Sequence, residues 1–383
     1  MRVLALCPYH AGSHERFLSD WCERSRHDFE VRKLPARHFK WRWRQAPVGL
    51  AEQARALECS GRAFDVIWTT ALSNVAELRG LLPSRYRNLP VCTYFHENQF
   101  NYPSRSTQRD AANGWDVNLP LDNWVTGLVS EQIWFNSAYN RRAYFEGARA
   151  LLSRMPDETS LDTLGEIETK SFVMSPGIDV DAFTPWAGAR QADEPLVLAW
   201  ASRWEHDKRP DLFLLALERV RSWGIAFKVL LLGQQFKSDV APYIKLRELF
   251  ADQLLHGGFV PDRREFAALL GRADVIVSTA EHEFFGLGIL EGVAAGCLPC
   301  VPDRLVYPEL YPDACRYAAR SDDEAVSGLA AKIAQLSQEK AEQGTLLPRH
   351  SALGLPGLAE RFSWSERARQ LDAGLEDLLR QVP

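Results

Sequence analysis

Long apolar runs are missing from this 383-residue chain. None approaches the roughly eighteen residues that a membrane-spanning helix needs, which argues against a membrane protein. The opening stretch Val3-Leu4-Ala5-Leu6 gives way at once to Cys7-Pro8-Tyr9-His10. It is too short for a signal peptide and reads as a first strand. Cysteine is sparse, odd in number (seven) and scattered. That pattern offers no disulfide framework and fits a reduced, cytoplasmic setting. The one close pair, Cys297-Leu298-Pro299-Cys300, has no second pair to complete a metal site, so burial in a core strand is the better reading. His96-Glu97 and His282-Glu283 each lack the second histidine of a zinc-binding helix. Gly286-Leu287-Gly288 opens like a dinucleotide fingerprint, but Glu291 stands where its third small residue belongs. No internal repeat is visible, and no metal or cofactor is expected.

What remains is ordinary globular material, 46% hydrophobic and 25% charged, on a chain long enough for two domains. The net charge of −5 is uneven: residues 1 to 186 carry 22 basic and 22 acidic side chains, leaving 45 − 22 = 23 and 50 − 22 = 28 for the rest. Strand-like runs alternate with helical ones. Val3–Leu6, Phe29–Leu34, Phe64–Thr69, Val91–Phe95, Gln132–Asn136 and Phe172–Met174 form a first series. Leu196–Trp200, Phe227–Leu232, Leu254–Gly258, Val275–Thr279 and Leu298–Val301 form a second. The stretch from Pro185 to Pro195 lacks periodicity and reads as a linker. The expected fold is α/β: two Rossmann-like, doubly wound domains facing each other across a cleft, with ligands at the carboxyl ends of the strands. Residues 1–186 are expected to form the first domain and 187–364 the second. A helix in 365–383 packs back on the first. Segments 100–123 and 146–170 are polar and read as loops or lids.

Two pairs of charged residues carry the chemistry. Glu283 ends a strand-like run, and Glu291 lies one turn into the helix that begins near Gly286. A strand, a glycine turn and a helix N-terminus make an anion site, flanked here by carboxylates able to accept from hydroxyls. Alone, glutamates near a helix start are commonplace. The second pair, Arg203 and Lys208, follows the buried run Leu196–Trp200 and suits a pyrophosphate, arginine as a fork and lysine as a point charge. Asp207 is a candidate cap for a helix from about Lys208 to Trp223. Together the pairs describe a site for a nucleotide-sugar.

A third feature is basic and aromatic. Arg32, Lys33, Arg37, Lys40, Arg42 and Arg44 have no acid among them, and Phe39, Trp41 and Trp43 are interleaved. Cations for phosphate and rings for bases would suit a nucleic-acid surface. The alternation also fits a strand with both tryptophans buried and the arginines solvated. Arg105 and Arg109 could extend the basic surface, although solvated loop charges are the plainer reading.

These residues resemble retaining, family 4-like glycosyltransferases of GT-B architecture: Arg203 with Lys208, Glu283-x7-Glu291, and Ser175-Pro176-Gly177-Ile178-Asp179. The chain is similar in particular to the queuosine-tRNA mannosyltransferase group. That likeness rests on Gly12-Ser13-His14, Phe39-Lys40-Trp41-Arg42, Tyr94-Phe95-His96-Glu97-Asn98-Gln99, Arg203-Trp204-Glu205-His206-Asp207-Lys208, Glu281-His282-Glu283-Phe284-Phe285-Gly286 and Leu305-Val306-Tyr307-Pro308-Glu309. It covers most of the chain and thins through 110–170 and after 315. The resemblance implies GDP-mannose as donor and queuosine in the anticodon loop of tRNA-Asp as acceptor, with no metal. It implies that Arg203 and Lys208 hold the diphosphate, Glu291 the donor ribose and Glu283 the sugar hydroxyls. Phe285, Gly286 and Leu287 would offer backbone N–H groups, and His96 would face the sugar. Gly12, Ser13 and His14 would close over the donor, and Gly257, Gly258 and Phe259 would lie near its base. Arg37, Lys40, Arg42 and Arg44 become tRNA contacts. Asp179 and Asp181 read as turn and cap chemistry rather than metal ligands. One rival is a transferase with another donor or a lipid or polysaccharide acceptor, but the amphipathic basic helix it wants is not evident. Another is a non-enzymatic tRNA- or sugar-binding protein, against which the four intact charged residues argue.

Overall fold

The computed structural model describes residues 1–101, 117–190, 192–233 and 241–381, so Arg105 and Arg109 lie outside the described residues. The chain forms two compact units, Met1–Gly177 with Trp364–Pro383, and Ile178–Ser363.

The first unit is built on a parallel sheet of β1 (Arg2–His10), β2 (Asp28–Pro35), β3 (Val66–Thr70), β4 (Val91–Phe95), β5 (Gln132–Phe135) and β6 (Ser171–Val173). Their spatial order is β2-β1-β3-β4-β5-β6, so the winding reverses between β1 and β3. β3, β4 and β5 are buried along their whole length, as central strands covered on both faces must be. One face carries Phe17, Trp21, Trp68, Tyr94 and Trp134, and the C-terminal helix Trp364–Gln381 covers them through Trp364, Leu371 and Leu375. Two glycines allow that approach. A Cβ at Gly177 would fall 2.4 Å from the Trp364 ring, and one at Gly374 would fall 2.7 Å from Trp134. The buried Asp372 accepts from Trp21 Nε1 at 2.8 Å and from the Arg26 N–H at 2.9 Å, which gives the helix a fixed register.

The second unit repeats the plan with β7 (Leu196–Trp200), β8 (Phe227–Leu231), β9 (Leu254–Gly257), β10 (Val275–Val277), β11 (Leu298–Pro302) and β12 (Arg316–Tyr317). The order β12-β11-β10-β7-β8-β9 reverses between β7 and β10. In such sheets the crevice at the carboxyl ends of the two strands flanking the reversal is where ligands bind. Cys297 and Cys300 are buried free thiols beside or within β11, and burial pushes them up to about 11 and about 12 respectively. Cys297 Sγ donates to the carbonyls of Leu270 and Ala273 at 3.2 and 3.3 Å, a packing role.

Three local expectations are corrected. Residues 39–59 form one helix, not a strand: Trp43, Ala46, Pro47, Leu50, Ala51 and Ala54 are buried at helical spacing, while Trp41 is 65% exposed. Within the segments read as loops or lids, Asn118–Val129 and Thr163–Thr169 are helices, and Ala138–Leu152 runs into the second. Asp207 caps nothing. The helix begins at Pro210 from a left-handed Arg209 (φ 48°), and Asp207 lies in the preceding turn of 3₁₀ helix.

Candidate active site

In the second unit the loops after β7 and β10 are pinned to one another. The Glu281 N–H donates to the Asp207 carbonyl at 2.8 Å, and Thr279 Oγ1 donates to the Lys208 carbonyl at 2.7 Å. These bonds turn the Lys208 side chain into the second loop, where Nζ donates to the His282 carbonyl at 2.7 Å and lies 3.3 Å from Glu283 Oε2. Asp207 Oδ2 is also 3.3 Å from Nζ. Burial pulls the Lys208 ammonium down, but the carboxylates of Glu283 and Asp207 outweigh it and hold the group above its usual value. Burial likewise pushes the Glu283 carboxyl up, and Lys208 with the Phe285 N–H more than reverses that, so Glu283 stays ionised below the usual carboxylate range. His282 is lowered to about 4 by burial and by Lys208, so its ring is neutral. Arg203, whose side chain is half exposed, lies 3.3 Å from Glu205 and acts electrostatically on both Lys208 and His282.

Glu283 also holds the helix start. Its Oε1 accepts from the N–H groups of Phe284, Phe285 and Gly286 at 3.1, 3.3 and 3.0 Å. Two of the backbone donors expected to face a ligand are therefore engaged by this carboxylate, and Leu287 opens the helix Leu287–Ala294. Gly286 sits at φ 82°, a left-handed turn that glycine adopts without strain. Gly288 serves a close approach, since a Cβ there would lie 2.9 Å from the Ala201 carbonyl at the end of β7. Arg203, Lys208 and Glu283 thus gather at the reversal of strand order.

Glu291, buried, is one turn along that helix and pairs with Arg263 at 2.8 Å. Arg263 opens the helix Arg263–Arg272 and lies over the Phe183 ring at 4.6 Å. Sequence reading passed over it because an arginine after Asp262 looks like any exposed helix start. Gly257 closes β9, and the Gly258 N–H donates to the Leu231 carbonyl at 3.0 Å. Phe259 beyond it is 54% exposed. Asp179 stands at the N-cap of Val180–Phe183 without a side-chain cap bond. Among the described residues no three His, Cys, Asp or Glu side chains cluster as metal ligands.

In the first unit, Gly12, Ser13 and His14 start the helix Gly12–Arg24 directly after β1, and His96 follows β4. The rings of His14 and His96 are 4.2 Å apart, and His96 also packs on Tyr94 (4.5 Å) and Phe17 (5.0 Å). Burial, then His14, holds the His96 imidazole well below its usual value, so it is neutral. Among the described residues its buried Nε2 has no hydrogen-bond partner. Buried asparagines fix the loop that carries it. Asn136 donates to the His96 carbonyl (2.7 Å), Asn140 to that of Phe95 (2.9 Å), Asn98 to Asn140 Oδ1 (2.9 Å), and Asn123 Oδ1 accepts from the Gln99 N–H (2.9 Å).

The basic helix is anchored from within. Trp43 Nε1 donates to Asp122 Oδ2 at 2.8 Å, and Arg44 lies 3.0 Å from the same oxygen. Arg42 donates to Gln45. Arg37 and Lys40 are exposed.

The fold and this arrangement of charges define a GT-B glycosyltransferase. Sucrose-phosphate synthase from Thermosynechococcus elongatus superposes with a TM-score of 0.70 over 99% of this chain and 100% of its own, at 16% identity. The catalytic domain of starch synthase IV from Arabidopsis thaliana gives 0.69 over 100% of both chains, at 14% identity. Residues 186–344 match the family described as glycosyl transferases group 1, and residues 2–178 match the tRNA-queuosine alpha-mannosyltransferase N-terminal family. A Drosophila melanogaster protein named tRNA-queuosine alpha-mannosyltransferase is 31% identical over 322 residues, 81% of each chain. The chain belongs to the tRNA-queuosine alpha-mannosyltransferase family. No helix among the described residues is long and apolar enough to cross a membrane.

Proposed function

We propose that the enzyme moves mannose from GDP-mannose, with retention at the anomeric carbon, to queuosine in the anticodon loop of tRNA-Asp. The observation that carries this reading is the Lys208–Glu283 pair, 3.3 Å apart at the strand-order reversal with Arg203 beside it. Breaking the anomeric C–O bond leaves negative charge on the diphosphate. Arg203, Lys208 and the start of the helix Leu287–Ala294 stabilise that charge as it develops. The acceptor hydroxyl oxygen bonds to the anomeric carbon on the face the diphosphate leaves, and its proton passes to the departing phosphate. Side-chain cations supply the positive charge, so the scheme needs no divalent ion. Glu283 accepts from sugar hydroxyls and Glu291 from the donor ribose.

Labelled GDP-mannose incubated with bulk tRNA is expected to mark queuosine-bearing tRNA-Asp alone. Label in a lipid fraction instead, or RNA binding with no transfer, overturns the reading.

Two variants probe the flanking groups. His96→Phe keeps the packing on Phe17 and Tyr94 but removes the sugar-facing nitrogen, so kcat falls roughly tenfold. Because the wild-type imidazole is already neutral, its kcat/KM profile shows no acid limb from this group between pH 6 and 7.5. Arg263→Ala leaves Glu291 a buried carboxylate without its guanidinium. The donor KM is expected to rise about tenfold, with GDP losing more affinity than its 2′,3′-dideoxyribose analogue, as measured by calorimetry.

A further inference from the structure

We infer that Trp41 is a stacking platform for an unstacked RNA base, with Arg37 and Lys40 holding the adjoining phosphates. The inference rests on the tRNA acceptor proposed above and adds the surface that grips it.

Trp41 is the most exposed large hydrophobic side chain among the described residues, at 65%. Tryptophan carries more apolar surface than any other residue, and leaving it in water is costly without a partner. The ring is also held on a rigid base. Phe39, two residues before it, packs edge-on against Tyr9 at the end of β1 and against Trp43, both at 5.8 Å. Trp43 in turn is buried and tied to Asp122. The helix turn bearing Trp41 therefore pays little conformational entropy on binding.

The charge around it is of one sign. Residues 32 to 44 hold six basic side chains and no acid. Lys40 and Arg42 stand in the first turn of a 21-residue helix that has no acidic residue there, at the positive end of its dipole. Cations at that end are unfavourable unless an anion joins them. Arg42 donates to Gln45 and Arg44 pairs with Asp122, while Arg37 and Lys40 are exposed, Lys40 next to Trp41 in sequence. One wet aromatic face amid cations fits a base and its phosphates. A lipid surface would want a broad apolar face, and of this helix only Val48 shares Trp41's exposure. The surface also follows β1 and β2 at their carboxyl ends, the edge of the sheet from which His14 and His96 emerge.

The test uses the full chain, a queuosine-containing tRNA-Asp anticodon stem–loop, and GDP. Trp41→Ala is expected to raise the stem–loop dissociation constant about tenfold, while Trp41→Phe retains most of the affinity. GDP binding and Tm stay at wild-type values in both. One abasic substitution in the loop should weaken wild type and leave Trp41→Ala unaffected, a coupling that simple misfolding does not produce. Arg37→Ala with Lys40→Ala should reduce the slope of log affinity against log salt by about two. If wild type binds and mannosylates tRNA and Trp41→Ala does so equally well, the platform is refuted and the acceptor reading stands. If wild type does not bind the stem–loop, both fall. Loss of binding to anionic vesicles rather than RNA on Trp41→Ala also refutes it.

Discussion

Glu283→Gln is expected to lower kcat by roughly a hundredfold or more, with GDP affinity changed by less than about threefold. Glutamine keeps a carbonyl oxygen for the N–H groups of Phe284, Phe285 and Gly286, so the glycine turn retains its shape. What it removes is the negative charge beside Lys208 and, on the proposed reading, the second strong acceptor for sugar hydroxyls. Lys208 keeps only Asp207 as a carboxylate partner, and its ammonium drops toward the ordinary lysine value or below. The loss of stability is about 2 kcal/mol, because half of a largely buried ion pair is gone while the capping bonds survive. Stopped transfer assays, GDP titration calorimetry and urea unfolding separate these effects. Near-normal turnover would show that this carboxylate is structural and that the assignment of sugar hydroxyls to it is wrong.

Lys208→Met should be more severe, with kcat falling about a thousandfold, since on the proposed mechanism it deletes the buried cation that stabilises the developing charge. It also has a pH signature. In the wild type Glu283 titrates below its unfolded value of 4.5, so the pair's stabilisation is complete at neutral pH and is lost as pH falls through the folded pKa. Without Lys208, burial, already the largest single influence on Glu283, loses its main opponent and the pKa rises. The variant then carries a penalised carboxylate at neutral pH that protonation relieves. The difference in Tm between wild type and variant should accordingly be largest near pH 7 and shrink toward pH 4.5. A constant difference across that range would mean that Lys208 and Glu283 do not titrate as a pair.

The strands were legible because central parallel strands are continuous apolar runs: Leu196–Trp200 and Val91–Phe95 have the bounds read from their residues alone. Asn74 and Ser137 cap their helices, accepting from the N–H groups of Glu77 and Asn140. The helix Phe39–Cys59 was not legible over its first turn. Trp41 and Trp43 alternate with arginines, and five residues cannot distinguish a period of 2 from one of 3.6. The longer series Trp43, Ala46, Leu50 and Ala54 carries the helical period, but it starts where the charged stretch ends. The helix Asn118–Val129 was hidden for a different reason. Its fully buried side chains include polar ones, with Asp122, Asn123 and Thr126 facing inward to bond Trp43, Ala71 and Ser73, while its apolar series Leu121, Trp124, Val125 and Leu128 is only partly buried. At the site, the charged residues could be named from their positions after strands. The Arg263–Glu291 pair could not, because it joins residues 28 apart through packing alone.

The C-terminal helix has a practical corollary for anyone cutting or recombining this gene. Because Trp364–Gln381 completes the core beneath Phe17, and Phe17 supports the His96 ring, a first unit expressed as residues 1–177 would present bare tryptophans and aggregate. A chimera that takes its second unit from a relative must exchange 178–363 as an insert and leave both flanks native, with two splice points rather than one.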